Sequence, residues 1–325
     1  MAGDLEEYSP QITALDDGGF VVTWNGDTSD GQAHDVFVQR FDAAGVATGG
    51  PTRLQGMAGH LADLSPQITA LAGGGFVVTW YGGQEAEIFV QGFDAEGVVT
   101  GGPTRLQGMT GIQGDYFPQI AALDDGGFVV TWYGNTSDGQ GFDIFVQRFD
   151  AAGETSGGLT RLQGMAGNLT DYTPRITALD DGGFVVMWVA ETTDGQGYDI
   201  FVQGFDAAGE TSGGLSRMRG MAGYLGDYAP RITALDGGGF VVTWAAETSD
   251  GPEYDIFVQG FDAAGVAAGG PTRLQGMAGN LVDYAPWITA LEGGRVRGHV
   301  VRQYLRRAGI RHFCAGLRCR WRGGG

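Results

Sequence analysis

Gly19-Phe20-Val21-Val22-Thr23-Trp24 decides the fold of this chain. The run returns at Phe76–Trp80, Phe128–Trp132, Phe184–Trp188 and Phe240–Trp244, with Phe-to-Phe spacings of 56, 52, 56 and 56 residues. One letter changes, Met187 in place of threonine in the fourth copy. Phe, Val, Thr and Trp favour strands, and a glycine pair opens each copy. Each copy reads as a central β-strand of a repeated unit. Self-similarity at this period means a propeller, a solenoid or an array.

The third unit shows the pattern. Pro118 to Leu123 is a first strand, Asp124-Asp125-Gly126-Gly127 is turn chemistry, and Phe128 to Trp132 is the second strand. A polar loop, Gly134 to Gly141, leads to a third strand at Asp143 to Phe149. Asp150-Ala151-Ala152-Gly153 turns the chain again, and Leu159 to Gln163 is a short fourth strand. Four strands on short turns make an antiparallel meander. Phe128, Val130 and Trp132 share one face of the second strand, and Val129 and Thr131 the other. A strand apolar on both faces belongs to a sheet covered on both sides. Four-stranded sheets stacked face to face are propeller blades of about 40–50 residues. Immunoglobulin-like sandwiches need about 100 residues each, and a solenoid coil is shorter. The expectation is an all-β, propeller-like array of five four-stranded repeats plus the first strand of a sixth. The units run about 8–63, 64–115, 116–171, 172–227 and 228–283, with a partial sixth at 284–294.

Charge narrows the partners. The chain has 325 residues, 61 of them glycine, and no lysine. All 38 acidic residues precede position 295, against 10 arginines, so the repeats carry −28. Such a surface repels nucleic acid and anionic lipid and attracts cations. No apolar run approaches the ~20 residues of a membrane helix. The expected partners exclude nucleic acid and membrane insertion. They are a cell-surface glycan or protein and flanking repeats of a parent protein. Both cysteines, Cys314 and Cys319, lie in the last dozen residues, so the repeats hold no disulfide framework.

The two ends are unusual. Met1-Ala2-Gly3-Asp4-Leu5 aligns with interior pieces such as Met57 to Leu61 and Met165 to Leu169, which is the expectation for a frame opening inside a longer array. No signal peptide is visible. At Arg295 the repeat stops and an arginine-rich tail, 295–325, begins. Arg295 to Arg302 can be encoded CGG GTT CGT GGT CAC GTG GTA CGG. Read from the second base, this gives Gly-Phe-Val-Val-Thr-Trp-Tyr-Gly, the string at Gly127 to Gly134. The tail reads as an out-of-frame copy of the next repeat rather than an evolved basic arm, and disorder is expected there. His299, His312, Cys314 and Cys319 are accordingly not a metal site.

The loops after the second strands carry the densest oxygen chemistry. Asp27, Ser29, Asp30 and Asp35 mark the first, and Asn135, Ser137, Asp138 and Asp143 the third. Asp194 and Asp199 mark the fourth, and Asp250 and Asp255 the fifth. Clustered carboxylates with a glycine suit a hard cation such as Ca²⁺; Asx-type turns are the other reading. The second unit lacks the loop, with eight residues between Trp80 and Phe89 instead of twelve. Each Thr-Arg-Leu arginine (Arg53, Arg105, Arg161, Arg273) is expected to pair with an acidic turn residue of a neighbouring blade. No Ser-His-Asp or Cys-His constellation is available.

The shared pattern is Pro-x-Ile-x-Ala-Leu-x-Asp-Gly-Gly-Phe-Val-Val-x-Trp, a Ser-Asp-Gly loop, then Asp-Ile-x-x-Gln-x-Phe-Asp-x-x-Gly. It resembles the tandem repeats of large secreted or surface bacterial proteins found beside haemolysin-type calcium-binding modules. The resemblance implies an extracellular or cell-surface, adhesin-like or toxin-associated setting. The expected function is a non-catalytic structural or adhesive module of a larger secreted or surface protein, stiffened by Ca²⁺. The alternative is a propeller-type hydrolase, glycosidase-like, with acidic residues at the ring axis. Near-identical repeats favour the first, because catalysis requires one unit to differ from the others.

Overall fold

The computed structural model describes residues 6–27, 34–56, 62–108, 114–136, 141–164, 170–192, 197–218, 227–248, 251–274, 281–291, 295–304 and 312–320. These are strands and turns throughout, in five four-stranded antiparallel sheets and one of three strands. The first sheet is β1 (Glu7–Ala14), β2 (Phe20–Gly26), β3 (Asp35–Phe41) and β4 (Thr52–Leu54). The second is β5 (Asp63–Ala70), β6 (Phe76–Gly82), β7 (Glu87–Phe93) and β8 (Val99–Leu106). The third is β9 (Asp115–Ala122), β10 (Phe128–Asn135), β11 (Phe142–Phe149) and β12 (Thr155–Leu162). These three form one compact part of the chain.

The other part holds the fourth sheet, β13 (Asp171–Ala178), β14 (Phe184–Glu191), β15 (Tyr198–Phe205) and β16 (Thr211–Met218). Its fifth sheet is β17 (Asp227–Ala234), β18 (Phe240–Thr248), β19 (Gly251–Phe261) and β20 (Thr272–Leu274). The sixth is β21 (Leu281–Leu291), β22 (Arg295–Tyr304) and β23 (His312–Arg320). Disorder was the expectation for the tail; over 295–304 and 312–320 the chain instead forms β22, paired in register with β21, and β23, paired with β22. Strand pairing is a backbone interaction. An extended run with Val296, Val300 and Val301 and no proline can supply it whatever its reading frame.

Alternation along each second strand stacks the sheets. Val21, Val36, Val38 and Leu54 of the first sheet meet Phe76, Val78, Trp80, Phe89 and Phe93 of the second in one buried cluster. Val77, Ile88, Val90 and Leu106, on the second sheet's other face, meet Phe128, Val130, Trp132, Phe145 and Phe149 of the third. Val185, Met187 and Val189 of the fourth sheet pack in the same way against Phe240, Val242 and Trp244 of the fifth. Within each sheet the tryptophan stacks on the third-strand phenylalanine, as Trp132 does on Phe145 at 5.9 Å between ring centres. Such pairs add about 0.5–1.5 kcal/mol beyond burial. Trp80, Trp132, Trp188 and Trp244 are fully buried. Phe20 and Trp24 are only half-buried.

The Asp-Gly-Gly turns close as expected. Gly127 N–H donates to Asp125 Oδ1 at 2.9 Å, and Gly126 N–H to the Leu123 carbonyl at 3.1 Å. Each first strand also carries a register shift at an x-Pro step. The residue before the proline has positive φ in all five: Ser9 52°, Ser65 51°, Phe117 49°, Thr173 46° and Ala229 48°. Non-glycine residues there cost about 1–3 kcal/mol each, and such bulges re-aim side chains.

Candidate functional site

Two polar constellations recur from sheet to sheet. In the first, a buried aspartate opens the first strand. Asp115 Oδ1 accepts the Trp132 indole N–H at 2.9 Å, and Oδ2 accepts Gly108 N–H at 3.0 Å. Asp63 makes the equivalent bonds with Trp80 and Gly56, and Asp171 with Trp188 and Gly164. Burial pushes the Asp115 carboxyl from 3.8 to about 6, against the two hydrogen bonds that favour its charge. Burial likewise takes Asp63 to about 6, with the nearby Asp35 carboxylate adding to the shift. In the second constellation, the carboxylate at the start of the third strand pairs with the fourth-strand arginine: Asp35–Arg53, Glu87–Arg105, Asp143–Arg161, Asp199–Arg217 and Asp255–Arg273. The arginine partners thus lie in the same sheet, which corrects the expectation of a neighbouring blade's turn. Turn aspartates take other arginines of their own sheet, Asp17–Arg40 and Asp125–Arg148.

The symmetry breaks between the second and third sheets. Here Tyr81, Tyr116, Phe117, Tyr133 and Phe142 gather into one aromatic patch. Tyr81 meets Tyr116 at 5.6 Å and Phe117 at 5.4 Å. Phe117 stacks on Tyr133 at 5.8 Å and 17°, and Tyr133 meets Phe142 edge-on at 5.2 Å. Phe117 is 46% exposed and the other four are half-buried. Register places Ser9, Ser65, Thr173 and Ala229 where the third repeat has Phe117, and Asn25, Val189 and Ala245 where it has Tyr133. The strained φ of Phe117 turns its ring out to solvent. Burial raises the pKa of Tyr81, a bond to Ser65 opposing it and the nearby Tyr116 adding to it.

The short turn of the second repeat borders this patch. Gly83, at φ 80°, and Ala86, at φ 50°, fold it tightly after β6. Its carbonyls cap the start of β9: Gly114 N–H donates to Glu85 O at 2.7 Å and Asp115 N–H to Ala86 O at 2.6 Å. The Glu85 side chain is 43% exposed and 3.7 Å from Arg105, whose guanidinium also holds the buried Glu87. Gln107 donates to Glu87 at 3.3 Å. The turn that carries exposed Glu85 and leads to Glu87, anchored by Arg105, thus hydrogen-bonds through its backbone to the start of β9, where the Asp115 carboxyl keeps its proton to about pH 6.

Of the residues expected to ligate Ca²⁺, Asp27 lies 3.0 Å from His34 Nδ1 and accepts Glu6 N–H at 3.3 Å. Asp35, Asp143, Asp199 and Asp255 are in the arginine pairs above, and Asn135 ends β10. Ser29, Asp30, Ser137, Asp138, Asp194 and Asp250 lie outside the described residues. Among the described residues, no group of three or more His, Cys, Asp or Glu side chains is arranged to hold a metal ion.

No family model matches the chain, and no curated protein matches it. Solved structures do. The α-L-arabinofuranosidase of Fusarium graminearum with an iminosugar inhibitor matches at 12% identity and TM-score 0.57, over 96% of this chain and 93% of that one. The α-L-arabinanase of Penicillium chrysogenum with arabinobiose matches at 12% identity and TM-score 0.58, with the same coverage. A Dyadobacter fermentans protein of unknown function matches at 12% identity and TM-score 0.54, over 96% and 94%. The fold is that of a β-propeller. The resemblance to haemolysin-associated surface repeats is corrected by the arabinofuranosidase and arabinanase, which are propellers of another kind. The same neighbours overturn the expectation of a non-catalytic, adhesive, calcium-stiffened module that is not an enzyme, and favour the hydrolase alternative.

Proposed function

We propose that this chain is a propeller-type glycoside hydrolase that takes an arabinose-type glycan on the aromatic patch of the second and third sheets. The observation that carries the reading is a departure from the repeat: five rings at one junction, next to the short turn that carries Glu85 and pairs with the start of β9. Flat aromatic faces bury the C–H faces of a sugar ring and leave its hydroxyls to polar neighbours. Glycoside cleavage needs carboxyl groups beside the scissile bond, one of them able to carry a proton. Glu85 is the exposed carboxyl at the patch and the group assigned to the glycosidic oxygen. In its protonated form it gives a proton to that oxygen as the glycosidic C–O bond breaks, water adds to the anomeric carbon, and the proton the water loses returns through solvent to the Glu85 carboxylate. Arg105, shared with Glu87, fixes where Glu85 stands. Asp115 is a positioning residue: its backbone N–H donates to the Ala86 carbonyl, and its carboxyl, which keeps its proton to about pH 6, anchors Trp132 and Gly108. The likeness to an arabinofuranosidase and an arabinanase supports the choice of sugar. The test is release of reducing ends from arabinan oligosaccharides. Wild type should turn over, and Glu85→Gln should lose at least about a hundredfold in kcat. Binding without turnover in the wild type would keep the platform and remove the hydrolase.

A further inference from the structure

The end of the sheet where the first strand begins repeats one arrangement of rings. Tyr8, Tyr116 and Tyr172 hold the same register on β1, β9 and β13, opposite Asn25, Tyr133 and Val189. Each meets a ring at the start of the third strand edge-on. Tyr8 meets His34 at 5.4 Å and 83°, Tyr116 meets Phe142 at 6.0 Å and 82°, and Tyr172 meets Tyr198 at 6.2 Å and 65°. Tyr116 and Tyr172 are half-buried, whereas Tyr8 is 43% exposed. Polar groups flank it. His34 Nδ1 lies 3.0 Å from Asp27 Oδ1, and both side chains reach solvent. Asp27 is held in place by β1's end: its N–H donates to the Glu6 carbonyl at 3.0 Å, and Oδ2 accepts the Glu6 N–H at 3.3 Å. This group adjoins the second sheet. Asp63 N–H donates to the His34 carbonyl at 2.8 Å, the bond that Asp115 N–H makes to Ala86 one sheet later. Leu64 follows Asp63 and stands opposite Tyr81, which meets Tyr116 and Phe117. With β1 packed beside β5 and β5 beside β9, rings occupy the same end of three consecutive sheets.

We infer that Tyr8, His34 and Asp27 form a second glycan subsite on the first sheet, in line with the aromatic patch, so that the ligand is a neutral chain of several sugars lying across the first three sheets. The inference rests on the glycan reading above and names the length and charge of what that site takes. An exposed tyrosine face buries the C–H face of a sugar ring, and the imidazole and carboxylate beside it take hydroxyls. Stacked sheets lie about 10 Å apart, so a ligand that reaches from the first sheet to the third is a chain of rings rather than one. A repeated protein meets a repeated polymer with one contact per unit, and here the contacts follow the sheets. The charge selects the polymer. With 10 arginines against 38 acidic residues, the repeats repel an anionic chain and leave a neutral one.

The test is calorimetric titration of the full chain with arabinobiose and with arabinan oligosaccharides of increasing length. In the wild type, affinity should rise at least about tenfold from arabinobiose to the longest chain, because the second contact is made within one bound ligand. The variant Tyr8→Leu/His34→Ala carries the residues of the second repeat, Leu64 and Ala86, and its melting temperature is checked first. It should bind arabinobiose as the wild type does and lose the gain with length. Tyr8→Phe keeps the ring and should keep the gain. No gain in the wild type, or the same gain in the double variant, overturns the inference and leaves the aromatic patch standing. A double variant that loses arabinobiose as well overturns a separate subsite. One that melts lower yet keeps the gain shows a structural role and overturns it too. Failure of the wild type to bind any length overturns the glycan reading, and this subsite with it.

Discussion

Replacing Asp115 by asparagine should change how stability depends on pH. The carboxyl is buried, and its folded pKa is about 6 against an ordinary 3.8. Raising an acid's pKa by that amount is worth about 3 kcal/mol. The sign follows from proton binding. Below pH 3.8 both folded and unfolded chains hold the proton, and the group's contribution is fully present. As pH rises, the unfolded chain releases its proton first, and stability falls until the folded carboxyl ionises near pH 6. Asparagine cannot titrate. It keeps an acceptor for the Trp132 indole and turns an amide toward Gly108 N–H, a cost that does not vary with pH. The stability of wild type minus that of Asp115→Asn should therefore drop by about 3 kcal/mol between pH 3.5 and pH 7. Asp63 titrates alike in both proteins and cancels. Urea unfolding of the full chain by tryptophan fluorescence at half-unit pH steps gives the difference directly. A difference flat to within about 0.5 kcal/mol would refute the placement of Asp115 in a desolvated site.

Two further outcomes follow from packing. Arg161→Ala leaves Asp143, whose side chain is 4% exposed, without its guanidinium and should cost about 3 kcal/mol in urea; adding Asp143→Asn should recover part of it. Gly127→Ala drives a methyl into the Phe149 carbonyl at the hairpin and should cost at least about 2 kcal/mol, while Gly158→Ala, with open space around the added carbon, should be neutral by the same measurement.

The strand pattern was legible because two-sided burial writes itself into the letters: Phe128, Val130 and Trp132 pack on the second sheet, and Val129, on the opposite side of the strand, is buried as well. The Asp-Gly-Gly turns were legible because their hydrogen bonds are local. The arginine pairs were not. Arg161 stands opposite Phe145, and Asp143 is its diagonal neighbour two residues away, a relation that appears only once β11 and β12 are in register. The aromatic patch escaped for a similar reason, since its rings come from four strands in two sheets. A signal was present all the same. Phe117 and Tyr133 depart from Ser9 and Asn25 at equivalent repeat positions, and the shortened loop of the second repeat adjoins them. The oxygen-rich loops drew the reading toward a cation, whereas Asp35, Asp143, Asp199 and Asp255 are spoken for by arginine. The tail was read for apolar periodicity, but β22 and β23 are joined to β21 through the backbone.

The central claim is that the aromatic junction of the second and third sheets is where the glycan binds. The direct measurement is titration of arabinobiose into the wild type and into Phe117→Ser/Tyr133→Asn, which gives the third repeat the residues of the first. The account predicts binding to the wild type and a loss of at least about tenfold in the variant, with the melting temperature held or raised as Phe117 strain is relieved. Equal affinity in the two proteins would contradict it.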